Sequence, residues 1–261
     1  MPTADRPLAG THAVVTGGGR GIGRAIAAHL AGLGAALTLL GRDRAQLYDT
    51  VQSLADGAVC DAQVCDVADE ASVTAAFAAI ARAGHRPGIL VNNAGAAVSA
   101  RFGATDRAAW DAMIGVNLTG VYHCTRAALP ALLEAPRGRV VNIASTAGLV
   151  GYPYVTAYCA AKHGVIGLTR ALALELAGTN VTVNAVCPGY TDTELVQQAV
   201  RNIVARSGRS DDEARAALAS RNPQGRLIRP EEVAAVVGWL CRPESAALTG
   251  LAVPVAGGEV T

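Results

Sequence analysis

Tyr158 and Lys162 stand four residues apart. On a helix that spacing places two side chains on one face, one turn from each other. A phenol has a pKa of about 10 in water, too high for an efficient acid at neutral pH. A neighbouring ammonium favours the phenolate and lowers that value. Tyr-x-x-x-Lys can therefore build a proton donor that works near neutrality. The same pair would suit a partly exposed helix face with no chemistry at all, so its meaning depends on what the rest of the chain brings to it.

The scaffold is legible as an alternation of strands and helices. Thr11–Thr16 reads as a short buried strand, followed by Gly17-Gly18-Gly19-Arg20-Gly21-Ile22-Gly23. An amphipathic helix over Arg24–Leu33 ends at Gly34, and Ala35–Leu40 is a second apolar strand. Strand, glycine turn, helix and strand form a βαβ unit. Its glycines let backbone approach a pyrophosphate, and the helix N-terminus offers free N–H groups to that anion. The glycines at 17, 21 and 23 follow Gly-x-x-x-Gly-x-Gly rather than the commoner Gly-x-Gly-x-x-Gly.

The pattern continues with a helix over Arg44–Ala55, a strand over Ala58–Cys65 and a helix capped by Asp69 that reaches Ala83. Ile89–Val91 is a fourth strand, closed by Asn92-Asn93-Ala94-Gly95. Asp106 caps a long helix reaching toward Leu133, with Asn117 inside it. Arg139–Ser145 is a fifth strand, the Tyr158 helix runs to about Ala177, and Val181–Cys187 is a sixth strand cut by Pro188-Gly189. Residues 190–227 hold polar, Arg-rich helical patterns with no strand, before a helix over Pro230–Cys241 and a last strand over Leu251–Val255. The expected fold is α/β: one doubly wound parallel sheet of Rossmann type with helices on both faces. It forms a single domain, 1–261, with a substrate-loop insert at about 190–227.

In such sheets ligands bind beyond the carboxyl ends of the strands. The polar residues of interest fall there: the Gly17–Gly23 turn, Arg42, Asp66, Asn93, Ser145, and Pro188–Thr193. Six strand ends that each carry such a group point to an active site.

At this point the chain resembles the short-chain dehydrogenases/reductases along essentially its whole length. The resemblance is carried by Thr16-Gly17-(x)3-Gly21-Ile22-Gly23, Asn92-Asn93-Ala94-Gly95, Asn117, Ser145, Tyr158-(x)3-Lys162 and Pro188-Gly189-(x)3-Thr193, in order and at the family's spacings. The last strand departs from the frequent Val-Asp-Gly-Gly and reads Val255-Ala256-Gly257-Gly258, which touches a terminal or subunit contact. The resemblance implies that Tyr158 exchanges a proton with a carbonyl oxygen as hydride arrives. It also implies that Lys162 depresses the phenol pKa and holds the nicotinamide ribose, and that Ser145 hydrogen-bonds the same oxygen. Asn117 would hold a water linking Lys162 to solvent. For the cofactor it implies contacts from Gly17, Gly19, Arg20, Gly21, Ile22 and Gly23, with Asp66-Val67 framing the adenine. Asn93, Ala94 and Gly95 would border the ribose and nicotinamide. Pro188, Gly189, Thr191 and Thr193 would close the carboxamide end, with Thr193 also able to cap the next helix.

The family often places an acid where this chain has Gly41; Arg42 follows, and Arg20 lies inside the glycine turn. Two guanidinium groups can clamp a 2′-phosphate. NADP(H) is therefore favoured over NAD(H), with Asp43 bending inward as the alternative that would favour NAD. Substrate contacts are assigned to Ala147, Tyr152 and Tyr190, with Tyr154 as a further wall. The motif wording is nearest to 3-oxoacyl-thioester reductases and polyketide ketoreductases. Two alternatives stay open: a dehydrogenase of a free secondary alcohol or hydroxy acid, and a cofactor-binding regulator without turnover.

Composition narrows the partners. Apolar residues make up 51% of the chain and net charge is +1, so no field attracts nucleic acid or an anionic membrane. No apolar run reaches the roughly 18 residues that span a bilayer, and the start lacks the form of a signal peptide. The expected setting is cytoplasmic. The six scattered cysteines form no Cys-x-x-Cys pair and the five histidines show no ligand spacing, so no metal is expected. Family likeness implies a homotetramer built on the helices of Asn117 and Tyr158, with Ala171, Ala173 and Ala177 allowing close contact.

Overall fold

Strands that are apolar along their whole length need cover on both faces. The structure, a computed structural model, describes residues 6–54 and 57–260, with the side chain of Arg206 outside that description. It meets the requirement with seven strands: β1 (His12–Thr16), β2 (Ala36–Gly41), β3 (Cys60–Val64), β4 (Pro87–Asn92), β5 (Gly138–Ile143), β6 (Val181–Pro188) and β7 (Ala252–Val255). All neighbours are parallel, in the order β3-β2-β1-β4-β5-β6-β7. The order reverses between β1 and β4, which opens a crevice at their carboxyl ends.

The pleat sends alternate residues into two cores. Ala13 and Val15 of β1 join one core with Ile26 and Leu30 of α1 (Gly21–Gly32), Leu47 of α2 (Arg44–Ser53) and Val237 of α9 (Pro230–Cys241). Val14 joins the other with Val73 and Ile80 of α3 (Glu70–Arg82), Leu132 of α5 (Gly120–Glu134) and Ala173 of α6 (Thr156–Glu175). Caps set several helix starts: Asp43 accepts from Ala45 N–H and Gln46 N–H, Asp69 from Ala71 N–H, and Asp106 from Ala109 N–H ahead of α4 (Arg107–Ile114).

Several boundaries differ from the sequence reading. Helix α1 starts at Gly21, so Gly21 and Gly23 form its first turn instead of preceding it. Strand β5 stops at Ile143, and Ser145 caps a short 3₁₀ turn over Thr146–Gly148. The expected helix from 106 to 133 is one helical run interrupted by a π turn at Gly115–Thr119, and Asn117 lies in that turn. The expected end of the second helix at Ala55 lies outside the described residues. The insert holds α7 (Glu194–Ser207) and α8 (Asp211–Ala219), and a parallel bridge between Thr191 and Ile228 pins its two ends together. Ala173 is only 2% exposed because it faces the sheet, so it is not available for helix contact between subunits.

At the opposite edge from the strand ends that carry the motifs, His12 is buried and stacks on His85 with ring centroids 4.4 Å apart. Its Nε2 hydrogen-bonds Thr38 Oγ1 at 2.9 Å, while His85 pairs with Asp61. Burial, and then the neighbouring His85 imidazole, push the His12 pKa down to about 4, against a smaller opposing pull from Asp61. A histidine kept neutral in the fold contributes stability above its unfolded pKa. That contribution is lost as pH falls from about 6.5 toward 4. Unfolding free energy is expected to drop between pH 7 and pH 4.5 by roughly 2–3 kcal/mol more in the wild type than in His12→Gln, measured by denaturant titration. Equal drops would show that His12 titrates normally.

Candidate active site

The glycine turn is held by side chains from the next strand of the crevice. Thr16 Oγ1 accepts from the N–H groups of Asn93 and Ala94, both at 2.9 Å, and Asn93 Nδ2 donates to the carbonyls of Thr16 and Gly17 at 2.9 and 3.1 Å. A Cβ on Gly23 would stand 2.1 Å from Gly17 O, so the turn closes only with glycine there. Gly17 is equally confined, with φ +63° and Ala94 Cα at 2.9 Å from a built Cβ. Thr50 Oγ1 donates to Gly19 O at 3.0 Å and holds the turn from α2. Arg20 at the N-cap of α1 makes no side-chain cap, and no acid stands in the first turn. The first N–H groups of α1 therefore face outward from a glycine cradle, the donor set that a pyrophosphate requires. The chain fits a dinucleotide at this turn.

The other sequence-derived cofactor residues divide between surface and support. Arg20 and Arg42 are exposed beside the turn. Asp43 Oδ1 accepts from Ala45 N–H and Gln46 N–H and so caps α2. Asp66 Oδ1 accepts from Ala68 N–H at 3.0 Å, a local turn that orients its carboxylate. Val67 is 6% exposed and packs so tightly that a Cβ on Gly120 would meet its side chain at 2.7 Å. Ile22 and Ala94 pack against the two cores. Thr191 Oγ1 donates to Gly189 O, and Thr193 Oγ1 donates to Thr191 O. Thr193 occupies the N-cap position of α7 without capping it, contrary to the expectation; its hydroxyl instead donates back to Thr191 O. Its methyl is 3.2 Å from a built Cβ on Gly21, which brings the start of the insert against the glycine turn.

Ser145, Tyr158 and Lys162 meet at the ends of β5 and β6. Tyr158 and Lys162 share one face of the first turns of α6, and Nζ stands 5.6 Å from the phenol ring centroid. Lys162 is 4% exposed and donates to Ile143 O at 2.8 Å. Burial pushes its amine down to about 8. The Tyr158 phenol goes up, to about 12, contrary to the expected depression by Lys162. Burial is the main cause, and the Ser145 side chain pulls the other way. The ammonium is spent on a backbone carbonyl instead of on the phenol oxygen. Ser145 Oγ in turn accepts from Ala147 N–H at 3.1 Å.

Asn117 is fully buried. Its Nδ2 donates to Ala96 O at 2.8 Å and Met113 O at 3.0 Å, and its Oδ1 accepts from Ala96 N–H at 3.3 Å. The π turn makes this possible, since it disrupts the regular helical ladder and frees the Met113 carbonyl for a side chain. A built Cβ on Gly95 lies 2.8 Å from Asn117 Oδ1 and 3.8 Å from Lys162 Nζ, so both atoms border one point.

Of the residues expected to meet substrate, Tyr152 and Tyr190 meet edge to face, with centroids 6.3 Å apart at 85°. Tyr154 is 58% exposed with φ +68°, a conformation rarely adopted by a non-glycine residue. Ala147 is 4% exposed and serves through its N–H more than through its side chain. Three of the insert's arginines are paired: Arg215 with Asp192, Arg226 with Glu232 and Arg201 with Gln198. Sequence reasoning missed the support beneath the site. Asn92 Nδ2 donates to Thr125 and Asn142, and Asn142 Nδ2 donates to Thr169. It also missed Glu259, which accepts from the Tyr152 phenol. The Asn92 and Asn142 side chains each lie in an apolar strand stretch, a signal that was available; Glu259 carries none.

Gly23→Ala is expected to weaken dinucleotide binding at least about tenfold, because the clash falls on backbone and must displace the whole turn. Titration of the purified variant with NADPH by calorimetry checks this, and wild-type affinity would refute the cradle.

Comparison with known proteins agrees with this geometry. The model of the short chain dehydrogenase family matches residues 11–203. A polyketide ketoacyl reductase of the granaticin synthase from Streptomyces violaceoruber is 43% identical over 262 residues, covering 98% of this chain and 94% of that protein. 2-(S)-hydroxypropyl-CoM dehydrogenase 3 of Xanthobacter autotrophicus is 39% identical, with 94% of each chain covered. The 3-oxoacyl-[acyl-carrier-protein] reductase of Thermotoga maritima is 34% identical, covering 97% and 99%. The crystal structure of a single-substitution variant of actinorhodin polyketide ketoreductase with NADPH superposes with a TM-score of 0.92 at 37% identity, covering 99% of both chains. With the glycine cradle at one end of the crevice and Ser145, Tyr158 and Lys162 at the other, this chain belongs to the short-chain dehydrogenase/reductase family, NAD(P)-dependent oxidoreductases that act between CH–OH and C=O.

Proposed function

We propose that the protein is an NADPH-dependent ketoreductase that converts a 3-oxoacyl thioester or a related polyketide-type ketone to its secondary alcohol. The observation that carries this reading is the convergence of Ser145, Tyr158 and Lys162 beside a glycine cradle. The similarity to polyketide and 3-oxoacyl reductases supports the choice of substrate class. When bound, the dinucleotide supplies the hydride. The chain's own work is positional and protonic.

Tyr158 gives its phenolic proton to the carbonyl oxygen, and Ser145 donates a hydrogen bond to that oxygen as charge develops. A phenol held neutral by burial keeps its proton until an acceptor arrives. Lys162, anchored on Ile143 O, holds the nicotinamide ribose and lies at the end of the path that restores the proton. Asn117 is a positioning residue there, with Oδ1 bordering the same point as Nζ. Gly17, Gly19, Gly21 and Gly23 hold the pyrophosphate, Asp66 meets the adenine amino group, and Asn93 to Gly95 border the adenosine side. Homotetramer assembly through exposed positions of α5 and α6, among them Tyr122 and Leu174, is part of this reading.

A second reading, dehydrogenation of a free secondary alcohol, is favoured by the similarity to the hydroxypropyl-CoM enzyme. A panel of 3-oxoacyl thioesters against free ketones and alcohols, followed by cofactor absorbance, separates the two. Thioester turnover should exceed the rest, and Tyr158→Phe should lower kcat by about 10² to 10⁴. Preference for the free alcohols would overturn the thioester assignment.

The cofactor preference rests on Arg20 and Arg42, exposed beside the cradle, with Asp43 engaged elsewhere. In Arg20→Ala/Arg42→Ala the KM for NADPH is expected to rise at least about tenfold while that for NADH changes little, since only the former carries the phosphate they clamp. An equal rise for both would refute the preference.

A further inference from the structure

We infer that Glu259 is a specificity-determining positioning residue whose carboxylate holds the Tyr152 ring as a fixed wall of the substrate pocket. This deepens the ketoreductase reading above and rests on it.

After β7 the chain reverses at Gly257 and Gly258, with φ of +60° and +95°. The reversal lies on the end of the insert, where a Cβ at 257 would stand 2.0 Å from Asn222 Oδ1. Asn222 is 6% exposed and is itself fixed, donating to Arg226 O and accepting from Gln224 N–H at 2.8 and 2.9 Å. Glu259 then passes over Gly189, where a built Cβ would lie 2.9 Å from its Oε2. Gly189 is the residue at which β6 gives way to the insert, so a side chain there would evict the carboxylate.

The carboxylate ends on the Tyr152 phenol, which donates to Oε1. An ionised carboxylate only accepts, and a phenol has one proton, so the direction is set. The Thr146 hydroxyl, 2.8 Å away, must donate to the phenol oxygen. The chain Thr146 to Tyr152 to Glu259 begins one residue after Ser145. The Arg221 guanidinium covers a face of the same ring at 4.7 Å, and Tyr190 meets it edge to face. The loop after β5, both ends of the insert and the tail after β7 therefore converge on one aromatic ring beside the reacting groups. A ring held by a charge-assisted hydrogen bond excludes bulk differently from one free to pivot about its side-chain torsions.

The test is steady-state kinetics of the full-length protein with two ketones, a short 3-oxobutanoyl thioester and a bulky bicyclic ketone, each with NADPH. Glu259→Ala is expected to change the ratio of the two kcat/KM values by about fivefold or more, the scale of one lost hydrogen bond to a charged group. The KM for NADPH should move less than this ratio, because Glu259 meets the cofactor-side segment only at Gly189 and the cradle lies at Gly17–Gly23. Glu259→Gln, whose amide oxygen can accept the same bond, should restore most of the wild-type ratio. Tyr152→Phe should match Glu259→Ala, and the double variant should add nothing further. An unchanged ratio in Glu259→Ala, additive effects in the double variant, or an equal loss on both ketones in Glu259→Gln would each overturn the role of Glu259. Failure of the wild type to turn over either ketone would overturn the proposed function itself.

Discussion

A buried line of side-chain hydrogen bonds underlies the geometry of this active site. Asn92 of β4 donates to Thr125 of α5 and to Asn142 of β5, and Asn142 donates to Thr169 of α6, which passes its own proton to Val165 O. The four side chains are at most 5% exposed. Buried amides leave little freedom, because each unmade bond costs a desolvation penalty; of the two asparagines, Asn142 has both its amide N–H side and its Oδ1 engaged, while Asn92 Oδ1 is left without a partner. The line therefore sets the rotation of α6 relative to β5. Lys162 and Tyr158 stand two and three turns upstream of Thr169 on the same helix, and Ser145 stands just beyond the end of the same strand. Their meeting follows from a registration made below them.

Electrostatics at the site reflects a balance between burial and pairing. Burial pushes the Tyr158 phenol up and the Lys162 amine down, each toward its neutral form. The Ile143 carbonyl takes the amine's hydrogen bond, so the amine is oriented by backbone. A general acid benefits from keeping its proton at rest and giving it up to a developing oxyanion. In the proposed role of Tyr158 as that acid, burial favours the first condition and the Ser145 hydroxyl the second.

The cradle at the other end of the crevice works by exclusion of side chains. Asn93 and Thr16 draw the ends of β1 and β4 together, and the resulting gap between Gly17 and Gly23 admits no Cβ. What remains is the start of α1 without a side-chain cap, where free N–H groups suit an anion. Asp43 does local work beside the cradle: its Oδ1 accepts from two N–H groups and completes the N-terminus of α2.

Period and punctuation carried most of the fold. Apolar strands, amphipathic helices, and Asp residues at helix starts are local patterns, and they identified all seven strands and the order of the helices, since backbone hydrogen bonding and burial act over a few residues at a time. The Tyr158–Lys162 spacing and the Gly17–Gly23 turn were legible for the same reason. What lies between elements was not. The π turn at Asn117 depends on Ala96 and the loop after β4, so a regular helix was the natural reading of that segment. The direction of the Tyr158 shift depends on how deeply the phenol is packed and on where the Lys162 amine points, which spacing does not specify. The Tyr152–Glu259 bond spans 107 residues. Proximity in sequence determined the elements and the candidate residues. Which atoms face each other across the crevice was decided only when two cores and a buried amide line had brought distant segments into register, because side-chain hydrogen bonds act over about 3 Å whatever the length of chain between them.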